Sequence, residues 1–298
     1  MAAVVFSFDV EEHHRIEAAA GLTLTDGRKQ EYADRMERAT DRLLGMLADA
    51  GVKATFYVVG EIAESYPRLV RTMAEQGHEV GSHGWDHRRV HRFDPAGFAA
   101  DLRRSVAALE QASGTAVVGY RAPTFSVTRP TAWAADVLAE SGLRYDTSVF
   151  PVRHDRYGVP DAPRTPFRLR GERGEILELP PATYRLFGPN LPVAGGGYFR
   201  LFPLAAMRAG IRQHAGLSPS LAMLYFHPWE FDPDQPRLPL GRLARFRTYV
   251  GTGRSTGRLA ELLKQYRGVA RRAVDVVGEL EGVRATLPVY DLRSAPPS

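Results

Sequence analysis

Short apolar runs alternate with amphipathic segments along the first part of the chain. Residues 3–8 are almost entirely apolar and stop at acidic residues, which predicts a buried parallel strand. Residues 32–50 carry apolar side chains at helical spacing and are followed by Gly51, a typical helix stop. A strand at 54–59 and a helix at 62–76 continue the alternation. This order predicts an α/β fold with a mostly parallel sheet.

The same alternation extends further along the chain. We predict strands at 78–80 and 116–120, helices at 95–112 and 131–141, and a last buried strand at 221–226. The number of repeated units favours a (β/α) barrel over an open sheet. We expect it to be distorted or incomplete, with about seven strands rather than eight.

Residues 150–200 break this pattern because they hold eight prolines and end in three glycines at 195–197. Such a long Pro/Gly-rich insertion is typical of loops that line an active site. Beyond the last predicted strand, residues 254–267 and 272–280 have helical patterns.

Composition narrows the possible chemistry. The 298 residues include no cysteine, so a transition metal would have to be held by His, Asp or Glu. The net charge of +5 is dispersed, and we expect no nucleic-acid partner. The N-terminus lacks secretory-signal features and no apolar window is long enough to span a membrane, so we expect a cytoplasmic protein. The oligomeric state stays open.

Three polar clusters directly follow predicted strands, and the carboxyl ends of parallel strands meet at one face of a barrel. Asp9 and Glu11 are two residues apart and project to the same side of a strand, although they could also be exposed strand-end acids. His83 and His87 are four apart, which would place both on one face of a helical turn. His227 ends the last strand and could donate a proton or serve only as a structural histidine.

Glu11, His83 and His87 together form a set of two histidines and one carboxylate. Such a set leaves coordination positions open for water and substrate. We therefore predict one divalent metal, with Zn²⁺ as the first choice and Co, Ni, Mn or Fe as alternatives.

The chain resembles the polysaccharide deacetylases of carbohydrate esterase family four. Five segments resemble the motifs of that family in order: 7–12 (Ser-Phe-Asp-Val-Glu-Glu), 82–87 (Ser-His-Gly-Trp-Asp-His), 121–123 (Arg-Ala-Pro), 146–151 (Asp-Thr-Ser-Val-Phe-Pro) and 224–227 (Leu-Tyr-Phe-His). Three more segments are similar to the branch associated with bacterial exopolysaccharide loci: 154–158, 195–200 and 227–231. The resemblance implies a single catalytic domain over 1–290, with its core motifs in 7–227, a branch-specific extension over 228–290, and a loose tail at 291–298.

The resemblance also implies a mechanism. Water attacks the acetamide carbonyl of an N-acetylated saccharide, such as an exopolysaccharide precursor, and Asp9 takes its proton. Arg121 would pair with Asp9 and hold it ionised. His227 would protonate the departing amine, with Asp146 as the partner that keeps it cationic. The products are acetate and a free amino sugar.

The first motif departs from the family pattern, since many members have two adjacent aspartates there. Val10 stands in the adjacent position of this chain, so the ligand role moves to Glu11 or Glu12. The geometry of a strand favours Glu11, and Glu12 remains an alternative.

We predict substrate contacts from four apolar side chains. They are Trp85, Tyr198, Trp229 and Pro123. Each of the aromatic residues could equally belong to the core.

Two other functions remain open. The same metal site could serve a small-molecule amidase or a cyclic-imide hydrolase, or the chain could be a binding protein that has lost activity. The full set of polar residues argues against an inactive protein.

Overall fold

A computed structural model describes residues 2–294 of the chain. Its strands are β1 (Ala3–Val10), β2 (Thr55–Val58), β3 (Glu79–Ser82), β4 (Gly119–Tyr120), β5 (Tyr145–Asp146), β6 (Phe167–Arg170), β7 (Glu175–Glu178), β8 (Thr183–Arg185), β9 (Asn190–Pro192), β10 (Leu221–Phe226), β11 (Ala270–Arg271) and β12 (Val289–Asp291). Its α-helices are α1 (Asp26–Ala50), α2 (Gly60–Ser65), α3 (Pro67–Glu75), α4 (Pro95–Ser113), α5 (Ala134–Glu140), α6 (Gly196–Leu201), α7 (Leu204–Ala215), α8 (Arg242–Tyr249), α9 (Ser255–Tyr266) and α10 (Ala273–Glu281).

Ten of the strands form one sheet in the order β10-β1-β2-β3-β4-β5-β7-β6-β12, with β11 also paired to β1. Neighbouring strands are parallel except for the antiparallel pair β6–β7. The sequential order of β1 to β5, with β10 beside β1, is the winding of a (β/α) barrel. Single bridges from Pro181 to Met223 and from Gly195 to Tyr225 connect the insertion to β10. Within residues 2–294 the sheet does not close, so the predicted distorted, incomplete barrel is confirmed.

The insertion contains more regular structure than we predicted. Its chain forms β6 and β7 of the main sheet, the separate hairpin β8–β9, and helix α6. With β6 and β7 from the insertion and β11 and β12 from the C-terminal part, the main sheet has ten strands instead of about seven. Short strands between prolines carry little hydrophobic periodicity, which is why the pattern suggested only loops.

Helix boundaries follow local chemistry that the apolar pattern does not show. Helix α1 begins at Asp26, six residues before the predicted start, because the Thr25 side chain accepts a hydrogen bond from the Arg28 amide. The predicted helix over 62–76 is two helices, and α3 starts at Pro67, a residue that favours the first helical position.

The C-terminal end is more ordered than the predicted tail. Strand β12 pairs with β6 from Val289 to Asp291, so the sheet extends into the start of the range 291–298. The rest of that prediction, over 295–298, lies outside the described residues. Among residues 2–294, none of the helices combines the length and apolarity needed to cross a membrane.

Replacing Gly195 with alanine is expected to destabilise the fold severely. A Cβ at this position would lie 1.6 Å from the Tyr225 carbonyl oxygen, and the pairing of β10 with β1 holds this backbone in place. We expect a loss of at least about 3 kcal/mol in the free energy of unfolding, measured by urea denaturation. Gly197→Ala is the matched control, since the nearest atom to its Cβ is the Arg247 carbonyl oxygen at 3.7 Å. Equal stability of the two variants would contradict the prediction.

Candidate active site

The three predicted metal ligands meet at the carboxyl end of the sheet. Glu11 directly follows β1, His83 directly follows β3, and His87 lies in the loop beyond it. One ligand atom from each residue lies within 4.8 Å of the others. Glu12 does not join them, because its carboxylate accepts hydrogen bonds from Arg15. The structure therefore brings Glu11, not Glu12, to the two histidines.

The two histidines approach each other through a loop rather than a helical turn, so that part of our prediction is wrong. Residues 83–89 contain no helix, and their backbone takes left-handed conformations at Gly84 (φ 76°) and His87 (φ 63°). A left-handed histidine is uncommon, and such conformations concentrate at functional sites. The two imidazole rings lie 5.0 Å apart, centroid to centroid.

The hydrogen bonds and charges of this cluster suit a metal ion. His83 Nδ1 lies 2.7 Å from the Arg121 carbonyl oxygen, an arrangement that leaves Nε2 to act as a ligand. Glu11 Oε2 is buried and accepts no hydrogen bond of normal geometry, although His87 Nε2 is only 2.5 Å away. Burial lowers the pKa of His83 to about 4, so this imidazole is neutral as a ligand must be. Burial alone would raise the pKa of Glu11, but the neighbouring histidines lower it.

Asp9 is held in place by a buried arginine, Arg121. Arg121 Nη1 donates to Asp9 Oδ1 at 2.6 Å and to Ser7 Oγ at 2.8 Å, and the guanidinium stacks over the Tyr57 ring. Both Asp9 and Arg121 are buried. The other carboxylate oxygen, Oδ2, faces His227 Nε2 at 3.9 Å. Arg121 thus fixes one oxygen of Asp9 and leaves the second directed toward the site.

His227 is supported by Glu230, not by Asp146 as we predicted. Glu230 Oε1 lies 2.6 Å from His227 Nδ1 and also accepts the His227 backbone N–H at 3.1 Å. The second oxygen of Glu230 accepts from Arg200 Nε at 2.8 Å, and this ion pair is buried. Burial lowers the pKa of His227, but Glu230 outweighs it and raises that pKa to about 9. Burial alone would raise the pKa of Glu230, but Arg200 and His227 outweigh it and hold that pKa below its usual value.

Asp146 points elsewhere, into the sheet. It accepts a hydrogen bond from Ser148 Oγ at 2.5 Å and lies opposite Glu178 in the register of β5 and β7. Glu178 Oε1 in turn accepts from the Val149 backbone N–H at 2.9 Å. Burial raises the pKa of both carboxyls, and the charge of Asp146 raises that of Glu178 further. Asp146 is therefore half of a buried acid pair that makes no contact with His227.

This acid pair predicts a pH effect on stability. Below about pH 3 both carboxyls are protonated in the folded and the unfolded chain. As the pH rises, the two carboxyls ionise first in the unfolded chain, because their pKa values are raised in the folded chain. The folded state therefore loses stability until the pH exceeds the raised pKa values. We expect Glu178→Gln to lose less free energy of unfolding between pH 5 and pH 8 than the unsubstituted chain. Glu175→Gln, partly exposed in the same strand, is the control, and an equal change in both variants would contradict the prediction.

The three predicted metal ligands, together with Asp9 and His227, line one cavity of about 550 Å³. Its wall includes Asp9, Glu11, His83, His87 and His227 among the predicted chemical residues, and Tyr198 and Trp229 among the predicted substrate contacts. A cavity of this size is typical of a small-molecule or saccharide site. Trp229 is mostly buried, and its ring stacks on His227 with 5.4 Å between centroids.

Two predicted substrate contacts do not reach the cavity. Trp85 is buried, and Arg104 covers its ring at 3.5 Å, so the structure contradicts a sugar platform there. Pro123 is also buried away from the cavity, whose wall is formed instead by Thr124 and Phe125. The reason in both cases is the direction of the loop, which a motif match does not specify.

Sequence reasoning missed Glu230 and Arg200 as functional residues. Both lie in the segments similar to the exopolysaccharide-associated branch, 195–200 and 227–231. Glu230 three residues after His227 was a usable signal, because a side chain at that spacing can fold back on the first residue of a tight turn.

Comparisons with known proteins agree with this fold. Residues 15–145 match the family described as "Polysaccharide deacetylase", and residues 147–274 match the "Domain of unknown function (DUF3473)". Residues 15–145 thus carry a polysaccharide deacetylase domain, and the domain of unknown function follows it directly along the chain. The two matches meet at β5, in the middle of the sheet.

Two curated relatives match only part of the chain. A chitin deacetylase from Pestalotiopsis sp. is 36% identical over 107 residues, which is 35% of this chain and 33% of the relative. A peptidoglycan-N-acetylglucosamine deacetylase from Bacillus cereus is 29% identical over 106 residues, which is 36% of each. The matched stretch thus spans about a third of the length of each relative.

A solved structure extends the likeness over the whole fold. The structure of a probable polysaccharide deacetylase from Pseudomonas aeruginosa PAO1 superimposes with a TM-score of 0.62. It covers 94% of this chain and 92% of its own, at 15% sequence identity. The two proteins share the distorted (β/α)-barrel fold.

Proposed function

We propose that this chain is a metal-dependent hydrolase that removes N-acetyl groups from amino-sugar units of an oligo- or polysaccharide, such as an exopolysaccharide precursor. The observation that carries the proposal is the facing pair of Asp9 Oδ2 and His227 Nε2, 3.9 Å apart beside the cluster of metal-ligating residues. A proton acceptor and a proton donor therefore border one reacting position, as amide hydrolysis requires. The relatives named above as chitin and peptidoglycan deacetylases support the choice of an acetylated sugar.

Glu11, His83 and His87 would hold the metal. Their donor set of two imidazoles and one carboxylate favours Zn²⁺, with Co, Ni, Mn and Fe as alternatives. When bound, such an ion polarises a carbonyl oxygen and lowers the pKa of a water molecule.

Asp9 takes the proton of the attacking water. Arg121 donates a hydrogen bond to Oδ1 of Asp9, so the proton goes to Oδ2, the oxygen that faces His227. The fixed ion pair also prevents the carboxylate from rotating away, which keeps the base in position before substrate binds.

His227 gives a proton to the departing amine nitrogen. Because Glu230 accepts from Nδ1, the proton at Nε2 is the one directed into the site. Arg200 stabilises the Glu230 carboxylate, and the Glu230 carboxylate stabilises the imidazolium. When the C–N bond breaks, acetate and a free amino sugar leave.

A comparison of substrates tests this function. Zinc-loaded protein is incubated with a neutral N-acetylglucosamine oligomer and, separately, with a cyclic imide, with chelator-treated protein as the control. We expect equal amounts of acetate and free amine from the oligomer and no turnover of the imide. Imide hydrolysis without acetate release would favour the small-molecule hydrolase instead, and no turnover of either would indicate a binding protein.

A further inference from the structure

The active-site cavity is charged unequally along its wall. Next to the metal-ligating residues, the carboxylates face histidines and Arg121. At another part of the wall, Arg153, Arg156 and Arg247 are exposed, and the acidic side chain that contacts them is Asp155, while Glu17 of the same wall is paired with Arg89 at 3.1 Å. Three positive charges against one negative charge leave an excess of two. We call Arg153, Arg156 and Arg247 the arginine cluster.

Contacts around His154 show that these charges belong to one region. The His154 ring stacks on Tyr157 with 3.9 Å between centroids, and its Nδ1 accepts the Arg156 backbone N–H at 3.1 Å. Arg247 Nη1 lies 3.4 Å from Asp155 Oδ2. Burial lowers the pKa of His154, and the positive charges of Arg156 and Arg247 lower it further. Arg156 and Arg247 therefore lie close to the half-buried His154–Tyr157 stack, with their own side chains exposed to solvent.

The aromatic side chains beside His154 continue along the cavity as far as His227, the proposed proton donor. Phe125, in the cavity wall, lies between Tyr157 and Tyr225 with 5.6 and 4.9 Å between ring centroids, and Tyr225 contacts His227 edge to face with 5.9 Å between centroids. Tyr157, Tyr225 and His227 all line the cavity. A ligand with its acetamide at His227 can therefore follow one continuous surface toward the arginine cluster.

The chemistry of this region selects an anion with several oxygens. Guanidinium groups bind phosphate through paired, charge-assisted hydrogen bonds. A neutral acetylated sugar chain offers nothing for an excess of two positive charges, and a single uronate carboxylate would balance only one of them. A phosphate or diphosphate group balances both.

We propose that the arginine cluster binds a phosphate or diphosphate group carried by the acetylated sugar. The proposal rests on the function proposed above and narrows its substrate to a phosphate-linked N-acetylated saccharide. A nucleoside diphosphate sugar and a lipid-diphosphate-linked sugar share this chemistry.

The binding test does not depend on catalysis. Inorganic pyrophosphate is titrated calorimetrically into chelator-treated, metal-free protein, so that no metal ion can hold the anion. We expect the double variant Arg153→Gln/Arg156→Gln to weaken binding about 30-fold, as the loss of charged hydrogen bonds predicts. The control, Arg242→Gln/Arg245→Gln, removes the same charge from exposed positions on α8 outside the cavity and should bind within about twofold of the unsubstituted chain. No binding to the unsubstituted chain, or equal weakening in both variants, would overturn the proposal.

A second measurement compares acetate release from a nucleoside-diphosphate-linked N-acetylglucosamine, a polyprenyl-diphosphate-linked one, a neutral oligomer and a uronate-containing oligomer. The Arg153→Gln/Arg156→Gln variant should raise KM about 30-fold for a diphosphate-linked substrate and leave KM for the neutral oligomer unchanged. Of the two diphosphate-linked substrates, the one with the larger kcat/KM shows whether the natural carrier is a nucleoside or a lipid. A KM effect confined to the uronate oligomer would contradict the phosphate assignment. Pyrophosphate binding without acetate release from any substrate would overturn the proposed function and leave the anion site standing.

Discussion

Asp9→Asn is expected to keep the metal and lose about 1,000-fold in the rate of acetate release. Asparagine cannot accept the proton of the attacking water, yet Asp9 is not one of the three residues whose ligand atoms converge. Its amide can still face Arg121 through the side-chain oxygen, so the fold should survive. Bound zinc is measured by atomic absorption after gel filtration, and kcat from acetate release. Loss of zinc from Asp9→Asn would show that the division between base and ligand is wrong.

Three further variants serve as controls for this result. His83→Ala and Glu11→Gln should lose zinc, because each removes one donor atom from the cluster. Glu12→Gln should retain zinc, since that carboxylate pairs with Arg15 instead. Zinc retained by Glu11→Gln and lost by Glu12→Gln would show that Glu12, not Glu11, is the metal ligand.

Glu230→Gln is expected to lower kcat about 100-fold with little change in KM. Glu230 does not reach the cavity wall, and it acts through His227 by orienting the ring and favouring its protonated form. Glutamine keeps the shape and can still accept from Arg200, but it removes the negative charge. Zinc content and circular dichroism should match the unsubstituted chain.

Asp146→Asn discriminates between the two partners considered for His227. Since Asp146 contacts Ser148 and Glu178 rather than His227, we expect its kcat to stay within about tenfold of the unsubstituted value. A larger loss from Asp146→Asn than from Glu230→Gln would restore Asp146 as the partner.

The converging residues could be predicted from sequence because they depend on the geometry of single strands. Asp9 and Glu11 share a strand face, and parallel strand ends bring His83 and His227 to the same edge. For the same reason the barrel-like order of β1 to β5 followed from the alternation of elements.

The remaining features depend on tertiary packing, which a linear pattern does not contain. The partner of His227 is decided by where the turn after β10 places Glu230 and where α6 places Arg200. The left-handed backbone at His87 replaced the predicted helical turn, because spacing alone cannot distinguish two ways of bringing side chains together. Trp85 was misplaced for a similar reason, since only the fold shows that Arg104 covers it.

Acetate release as a function of bound zinc tests the central claim most directly. Metal-free protein is given increasing zinc, and the rate on an N-acetylglucosamine oligomer is plotted against zinc bound per chain. We predict a linear rise that ends at about one equivalent, and no activity at any zinc level for His83→Ala. Full activity in the metal-free protein, or no acetate at one bound equivalent on any acetylated sugar, would contradict a metal-dependent deacetylase at Glu11, His83 and His87.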